Sequence, residues 1–485
     1  VPAIPLVDAI AQRADELPDA PAITCGDRSV TRAEFVHLTD VAAARLVALG
    51  VPPAGVVGMS GPNSVGLLML AFAIWKAGAV PLPLADRKPA DQLGTLLAQA
   101  GAGVAVGFPD AATAGRPIAT PTLDELFAEP NRAGACPDRP LAPMLRIAAS
   151  GGSTGISKLI AIEVPALINP ARPWHKQMEP DGTHVVPLDV VDGTGFVAST
   201  AALGLGCHQV LMESFAARPM LELIERHRAD WLAATQPVML AVAKLADEAR
   251  RGYDVGSLRA VSHYAGRTAD WIKRIWIDWL GPERVWETYG AADSRGSTWI
   301  DGVTWLERPG SAGTVQPGGE IAIFDDHDQP VPPGTVGHIY LRDLTGRRNS
   351  RYLDRPTPSL PGGWETVGDL GSLDADGYLY VLDRAGDMIR RPDGLRAPLD
   401  IEAALEFAPA VRSAVVVGIP GADGFDRVHA VVDTAGAPLD VDAVTALMAE
   451  HFPAVLVPDS FEQVDEPLRD IAGKAQRGAL RAARS

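Results

Sequence analysis

The 485-residue chain is short of several things, and each shortage closes off a class of protein. It has only three cysteines, Cys25, Cys136 and Cys207. They cannot form a disulfide framework, and no CxxC or Cys/His spacing offers a zinc site. That usage fits a reducing compartment, so a cytoplasmic location is expected. Basic charge is scarce: 43 Lys and Arg face 60 Asp and Glu, giving a formal charge of −17. Nucleic acid and anionic membrane surfaces both demand a basic face, and neither is expected as a partner. Long apolar runs are missing. The strongest, residues 65–75, stops at Lys76 and is too short to span a bilayer. Residues 1–10 lack a basic region followed by an apolar one, so no secretory signal is expected. Lysine itself is rare, with seven residues against 36 arginines. Where positive charge is nearly always Arg, a Lys at a glycine-rich turn is a candidate for use of its compact ammonium.

What is present is core-forming material: 47% hydrophobic residues and 21% charged. The length allows about three compact units, or one large α/β body with an appendage. Residues 5–19 and 32–49 read as amphipathic helices, 56–61 as a strand, 64–77 as a buried helix and 79–84 as a strand. This strand–helix–strand rhythm predicts parallel sheet with helices on its faces. It recurs at 184–188, 197–206 and 208–212, then at 219–228, 230–234 and 237–250. From about 300 the texture becomes β-rich, with short strands at 320–324, 337–341 and 377–383. After residue 384 a unit of about 100 residues returns to α/β, at 399–407, 411–417, 428–432 and 441–451. The expected fold class is therefore α/β. A large domain, 1–385, would combine parallel and mixed sheets flanked by helices with a β-rich subdomain. A small α+β domain, 386–485, would turn about Gly386.

Four segments carry chemistry. In Ala149-Ser-Gly-Gly-Ser-Thr-Gly-Ile-Ser-Lys158, Gly151, Gly152 and Gly155 let backbone N–H groups converge. Ser150, Ser153 and Thr154 add hydroxyl donors and Lys158 adds charge, which is how a loop holds polyphosphate. A Walker loop would need Gly-Lys-Ser/Thr and a helix, whereas residues 159–162 read as a strand. A plain Gly/Ser hairpin turn is the alternative. In Glu365-Thr-Val-Gly-Asp-Leu-Gly371, Asp369 can accept both hydroxyls of a ribose, or merely cap a turn. In Trp286-Glu-Thr-Tyr-Gly-Ala-Ala-Asp293, Tyr289 can stack on a base and Asp293 can hold Mg²⁺; a buried aromatic with a loop acid explains them equally. Pro467-Leu-Arg-Asp-Ile-Ala-Gly-Lys474 ends in a lysine that would ordinarily be a solvated tail residue.

In this order and spacing the four segments resemble the adenylate-forming (ANL) superfamily of acyl-CoA synthetases, luciferases and nonribosomal-peptide adenylation domains. The resemblance covers essentially the whole chain. It implies that the Ser-Gly-Gly-Ser-Thr-Gly-Ile-Ser-Lys run binds phosphate, Tyr289 stacks on adenine, Asp369 and Arg384 hold the ribose, and Lys474 is the catalytic lysine of a mobile C-terminal domain. Within the superfamily, Trp279-Leu-Gly-Pro-Glu-Arg-Val-Trp-Glu-Thr-Tyr-Gly290 and Glu466-Pro-Leu-Arg-Asp470 are most similar to a bacterial acyl- and aryl-CoA ligase-like branch that includes a β-carboline amide bond synthetase. The implied reaction is attack of a carboxylate on the α-phosphate of MgATP, leaving pyrophosphate and an acyl-AMP.

Three departures from the family pattern matter. Tyr289-Gly-Ala-Ala-Asp293 lacks the usual Thr-Glu, which leaves Asp293 or water as the metal ligand. The hinge position, often Asp or Lys, falls on Gly386. Pro187-Leu-Asp-Val-Val-Asp-Gly-Thr-Gly-Phe196 replaces a His-Asn-Gly-Pro-Phe-like turn, placing Asp192 near the histidine. A thiol of pKa about 8.5 needs little help to ionise, but an alkylammonium near about 10.4 must shed a proton before attack. A carboxylate there attracts an ammonium and repels the anionic CoA. Asp192 therefore points to an amine acceptor, unless it caps a helix starting at Gly193; His184 and His263 are alternative bases. Phe196, Tyr264, Ala265 and Gly266 are expected to line the acyl pocket, with room for an aromatic or heteroaromatic acid. The leading expectation is an amide bond synthetase using ATP and Mg²⁺. A CoA ligase, with CoA as co-substrate, and a carrier-protein-loading adenylation domain are the alternatives.

Overall fold

A computed structural model describes residues 2–128, 138–149, 157–170, 177–290, 296–344 and 349–485. Its largest element is a nine-stranded sheet. Six strands run parallel, in the spatial order Pro21–Cys25, His208–Leu211, Thr183–Val186, Trp231–Thr235, Ala260–Tyr264 and Val285–Tyr289. Antiparallel strands extend both sides: Arg28–Thr31 at one edge, Thr298–Asp301 and Thr314–Val315 at the other. Helices Gly193–Gly204, Ala217–His227, Gln236–Ala243 and Asp270–Leu280 link successive parallel strands. Strands covered on both faces need no polar alternation, and Trp231–Thr235 and Ala260–Tyr264 are buried at every residue.

Chain order decides where a ligand fits. From Thr183–Val186 the chain moves to one neighbour, His208–Leu211, and then crosses to the other, Trp231–Thr235. Crevices in open α/β sheets form at such a reversal, outside the carboxyl ends of the strands. Residues 187–192, 236 and 265–266 lie at those ends. A second parallel sheet, Val80–Pro83, Val56–Met59 and Ala102–Val106, stands beside helix Val65–Lys76. Ser64 caps that helix at the Leu67 N–H, and Val65–Trp75 is buried throughout. The strongest apolar run is thus a central helix enclosed on every face. Edge-to-face contacts join Phe35, Phe72, Trp75 and Phe196, tying it to helix Gly193–Gly204.

The glycine-rich segment connects Arg146–Ala149 to Leu159–Ile162, which pair antiparallel with Ser350–Tyr352 alongside. Residue 159 therefore does begin a strand and not a Walker helix. A six-stranded sheet containing Gly319–Phe324, Gly337–Asp343, Asp369–Leu373 and Leu379–Arg384 forms the β-rich part. Beyond it, helix Pro398–Phe407 packs on Ser413–Pro420, Asp426–Asp433 and Ser460–Val464 around a separate core that includes Ile389, Ile401, Leu405, Val416, Val432 and Met448.

One expected helix divides. Residues 237–250 form Gln236–Ala243 and Asp247–Arg251, because the buried Arg250 guanidinium turns back to the carbonyls of Ala243 and Leu245 and satisfies them in place of helical N–H groups. The hairpin Ile389–Arg391/Gly394–Arg396 and strand Ser460–Val464 carried no sequence signal; they form where neighbouring chain offers partners.

Candidate active site

The turn after Thr183–Val186 is held from beneath. Buried Asn63 donates to the carbonyls of Leu188 and Met212, at 2.9 Å each, and accepts from the Val190 N–H at 2.8 Å. A side chain at Gly195 would meet the Asp189 carbonyl at 2.2 Å, so only glycine lets the turn close on its helix. Asp192 occupies the position before the first helical turn, yet makes no side-chain capping bond. Its carboxylate instead accepts from Arg87 at 2.6 Å. Arg87 also donates to Asp189 at 2.6 Å and to Asp470 at 3.2 Å. Burial works against the Arg87 charge, but Asp192 and Asp470 outweigh it and hold its pKa above the ordinary arginine value. Burial also raises Asp189. Arg146, buried beneath, is pulled down to about 10 by desolvation against the pull of Asp192.

Asp470 brings the tail of the chain here. Residues 469–475 form a tight turn: Arg469 bridges Ala475, and the Lys474 N–H donates to Asp470 Oδ1 at 2.8 Å. Gly473 takes φ +80°, and a Cβ there would lie 3.4 Å from Pro237 and 3.5 Å from the Ala265 carbonyl. Thr235 donates to the Ile471 carbonyl at 2.5 Å. Fully buried Glu402 accepts from Arg469 and Arg477, fixing the base of the turn. Lys474 is thereby carried to the carboxyl ends of the sheet. It lies close enough to Lys88 that, after burial, it is the main cause lowering that lysine's pKa. Lys88 donates to Ser157 at 2.8 Å, at the end of the glycine-rich segment.

At the nucleotide end, Asp369 is nearly buried. It accepts from the Tyr289 hydroxyl at 2.8 Å and pairs with Arg384 Nε at 2.9 Å. Arg384 donates further to the Val367 carbonyl at 3.0 Å. The residues expected to serve one nucleotide, on three separate segments, are thus in direct contact. Lys158 immediately precedes strand Leu159–Ile162, its ammonium 5.9 Å from the Tyr352 ring centre. Ser150, Gly151, Gly152, Ser153, Thr154, Gly155 and Asp293 lie outside the described residues.

Of the acyl-pocket candidates, Ala265 and Gly266 do border an opening. A cleft of about 50 Å³ is lined by Gln236, Ala265, Gly266, Glu402, Arg469 and Gly473. Ala265 takes φ +61°, a conformation costing an L residue of order 1 kcal/mol, and turns the chain sharply at the strand end. Tyr264 is buried just before it, with its pKa raised by desolvation. Phe196 has no exposed surface; its ring lies edge-on to Trp75 and 5.0 Å under the Arg146 guanidinium. It sits in the core beneath the acceptor turn.

The alternative bases are core residues. His263 bonds Thr268 at 2.7 Å, and burial lowers it to about 4. Burial, with His208 nearby, lowers His184 to about 3. Both folded values lie below the unfolded value near 6.5, so their stabilisation is full above pH 6.5 and is lost as pH falls towards 4 and 3. Between pH 6.5 and 5 each such histidine costs about 1.5 kcal/mol of stability. His184→Gln is expected to lose about that much less than the parent over this interval, read by denaturant unfolding at both pH values. Equal losses would show that His184 does not titrate in this way.

Arg87, Lys88 and Asp470 escaped the motif reading. Lys88 carried a usable signal as one of only seven lysines; Asp470 lies within the 467–474 segment but nothing marked its partner, and Arg87 carried no signal, since arginine is common here.

A family profile described as AMP-binding enzyme matches residues 10–345. Feruloyl-CoA synthase of an Amycolatopsis species is 29% identical over 499 residues, covering 97% of each chain. Among solved structures, o-succinylbenzoate-CoA synthetase of Bacillus subtilis, in complex with its acyl-adenylate, aligns with a TM-score of 0.81 at 21% identity, over 99% of this chain and 98% of the other. The amide bond synthetase McbA of Marinactinospora thermotolerans aligns with a TM-score of 0.78 at 24% identity, over 99% of both chains. These structural likenesses establish the shared fold. The family profile spans more than half the chain, and the chain belongs to the AMP-binding enzyme family of the ANL superfamily, as an ATP-dependent, AMP-forming ligase.

Proposed function

We propose that this ligase activates an aromatic or heteroaromatic carboxylic acid as its acyl-adenylate and transfers the acyl group to an amine, forming an amide. The acidic acceptor turn carries this reading: Asp189 and Asp192 share a single guanidinium at the sheet's topological reversal. A carboxylate pair offers an ammonium partners that the phosphates of CoA would not have, with Arg146, Lys88 and Lys474 the other cations nearby. Asp189, raised by burial, would take the proton an amine must lose.

In the adenylation half-reaction, Asp369 would accept the ribose hydroxyls, with Tyr289 and Arg384 fixing its carboxylate. Lys158, Lys88 and the glycine-rich segment would face the phosphates. Lys474 would place its ammonium between the carboxylate and the α-phosphate, two anions that repel without it. Magnesium would supply further charge neutralisation on the triphosphate. Among the described residues no three His, Cys, Asp or Glu side chains gather as a metal site. The magnesium would be held mainly by phosphates and water with one protein carboxylate, the role expected of Asp293. After activation, residues 386–485 would rotate about Gly386. A Cβ at Gly386 meets nothing within 4 Å, so the present orientation does not require glycine there.

The feruloyl-CoA synthase relative favours a second reading, transfer to CoA. Incubation with ATP and a mixed acid panel, with simple amines or CoA in parallel, separates them. The expected result is AMP release and amide masses in the amine arm alone. CoA-dependent AMP release with a thioester product would replace the first reading by the second.

A further inference from the structure

We propose that Arg87 is a positioning residue for adenylation: it receives Asp470 across the boundary between the large body and the tail segment, and through Asp470 sets the backbone of Lys474. Three observations carry this. Arg87 is already held by two carboxylates of the large body, Asp189 and Asp192 at 2.6 Å each, so its fork is ordered whether or not the tail is docked. The third carboxylate, Asp470, arrives from residues 469–475 and lies 3.2 Å from the same guanidinium. Asp470 divides its two oxygens: Oδ2 faces Arg87, and Oδ1 accepts the Lys474 N–H at 2.8 Å. The chain of contact therefore runs from the acceptor turn through one guanidinium and one carboxylate to the catalytic lysine. Of the other docking contacts, Lys244 with the Ala408 carbonyl, Trp271 with the Ala403 carbonyl and Arg267 with Asp400 stop at helix Pro398–Phe407 and the loop after it. The Thr235 hydroxyl reaches the turn at the Ile471 carbonyl but not the Lys474 backbone. When the tail swings away, Arg87 stays paired at the acceptor turn, ready to receive Asp470 again.

The inference rests on the assignment of Lys474 as the adenylation cation, and the test keeps the two apart. ATP–pyrophosphate exchange is measured for the parent and for Lys474→Ala, Arg87→Ala, Arg87→Lys and Asp470→Asn. Transfer is measured in a single turnover from chemically prepared acyl-adenylate. Asp470→Asn keeps an oxygen for the Lys474 N–H but turns an NH₂ towards Arg87, so it breaks the latch with little change in shape. Its exchange kcat is expected to fall about 30-fold with the ATP KM within about threefold, and transfer to fall at least about tenfold less than exchange. Arg87→Ala combined with Asp470→Asn is expected to be within about twofold of the slower single variant, because the Arg87–Asp470 contact is already lost in either single variant. Arg87→Lys should recover exchange only in part, since a single ammonium cannot hold three carboxylates in fixed directions. Loss of exchange in Lys474→Ala alone, with Asp470→Asn and Arg87→Ala at parental rates, would overturn the latch and leave the Lys474 assignment standing. Equal falls in exchange and transfer, with a lowered thermal midpoint, would also overturn it, by showing a general structural role.

Discussion

Lys474→Ala is expected to slow ATP–pyrophosphate exchange by about 10³-fold, equivalent to about 4 kcal/mol of transition-state stabilisation. The reaction brings a carboxylate to a phosphate, and the charge that permits their approach must sit at the reacting atoms. Lys474 is carried to the carboxyl ends of the sheet by the 469–475 turn. Its backbone is fixed by Asp470, its neighbour Gly473 touches the Ala265 loop, and its charge is felt by Lys88 beside Ser157. Truncation at Cβ leaves the backbone bonds of the turn untouched, so the domain should still dock. Nucleotide affinity should change by no more than about threefold, because Asp369, Tyr289 and Arg384 do not depend on the lysine side chain. Exchange at the parental rate would remove Lys474 from the reaction.

Asp369→Ala is expected to lower kcat/KM for ATP by about 10²-fold, mostly through KM. Each hydrogen bond from a ribose hydroxyl to a carboxylate contributes about 1.5–3 kcal/mol when water is largely excluded, and Asp369 is only 8% exposed. The same carboxylate accepts from Tyr289 and pairs with Arg384, so its loss also frees the ring expected to stack on adenine. Asp369→Asn keeps one acceptor oxygen and should fall between the two. The ATP dependence of exchange measures both; a KM within threefold of the parent would mean that the ribose is held elsewhere.

The parallel sheet was legible because its strands are apolar runs separated by helical periodicity, and the helices at 32–49 and 64–77 carried their own caps, the Thr31/Glu34 box and Ser64. The residues expected to hold the nucleotide were legible because four segments occur together in the order and spacing of a known family, each alone leaving a plain structural alternative open. Asp192 was legible as a carboxylate at the acceptor turn, but its partner was not. Arg87 lies 105 positions away and meets Asp192 only because two strands of different sheets end side by side. Asp470 is farther still, 383 positions from Arg87, and pairs with it across a boundary that no local pattern encodes. Phe196 shows the opposite failure. An aromatic beside a functional turn invites a pocket role, whereas its size fits the gap between Trp75 and Arg146 and burial claims it for the core.

The most direct test of the account follows the oxygen atoms of the acid. With a substrate acid labelled in both carboxylate oxygens with oxygen-18, ATP and an amine, mass spectrometry should find one heavy oxygen in each AMP released and the other in the amide. Heavy oxygen in inorganic phosphate, or AMP free of label, would mean that the carboxylate never attacks the α-phosphate, and the roles given to Lys474 and Asp369 would fall with it.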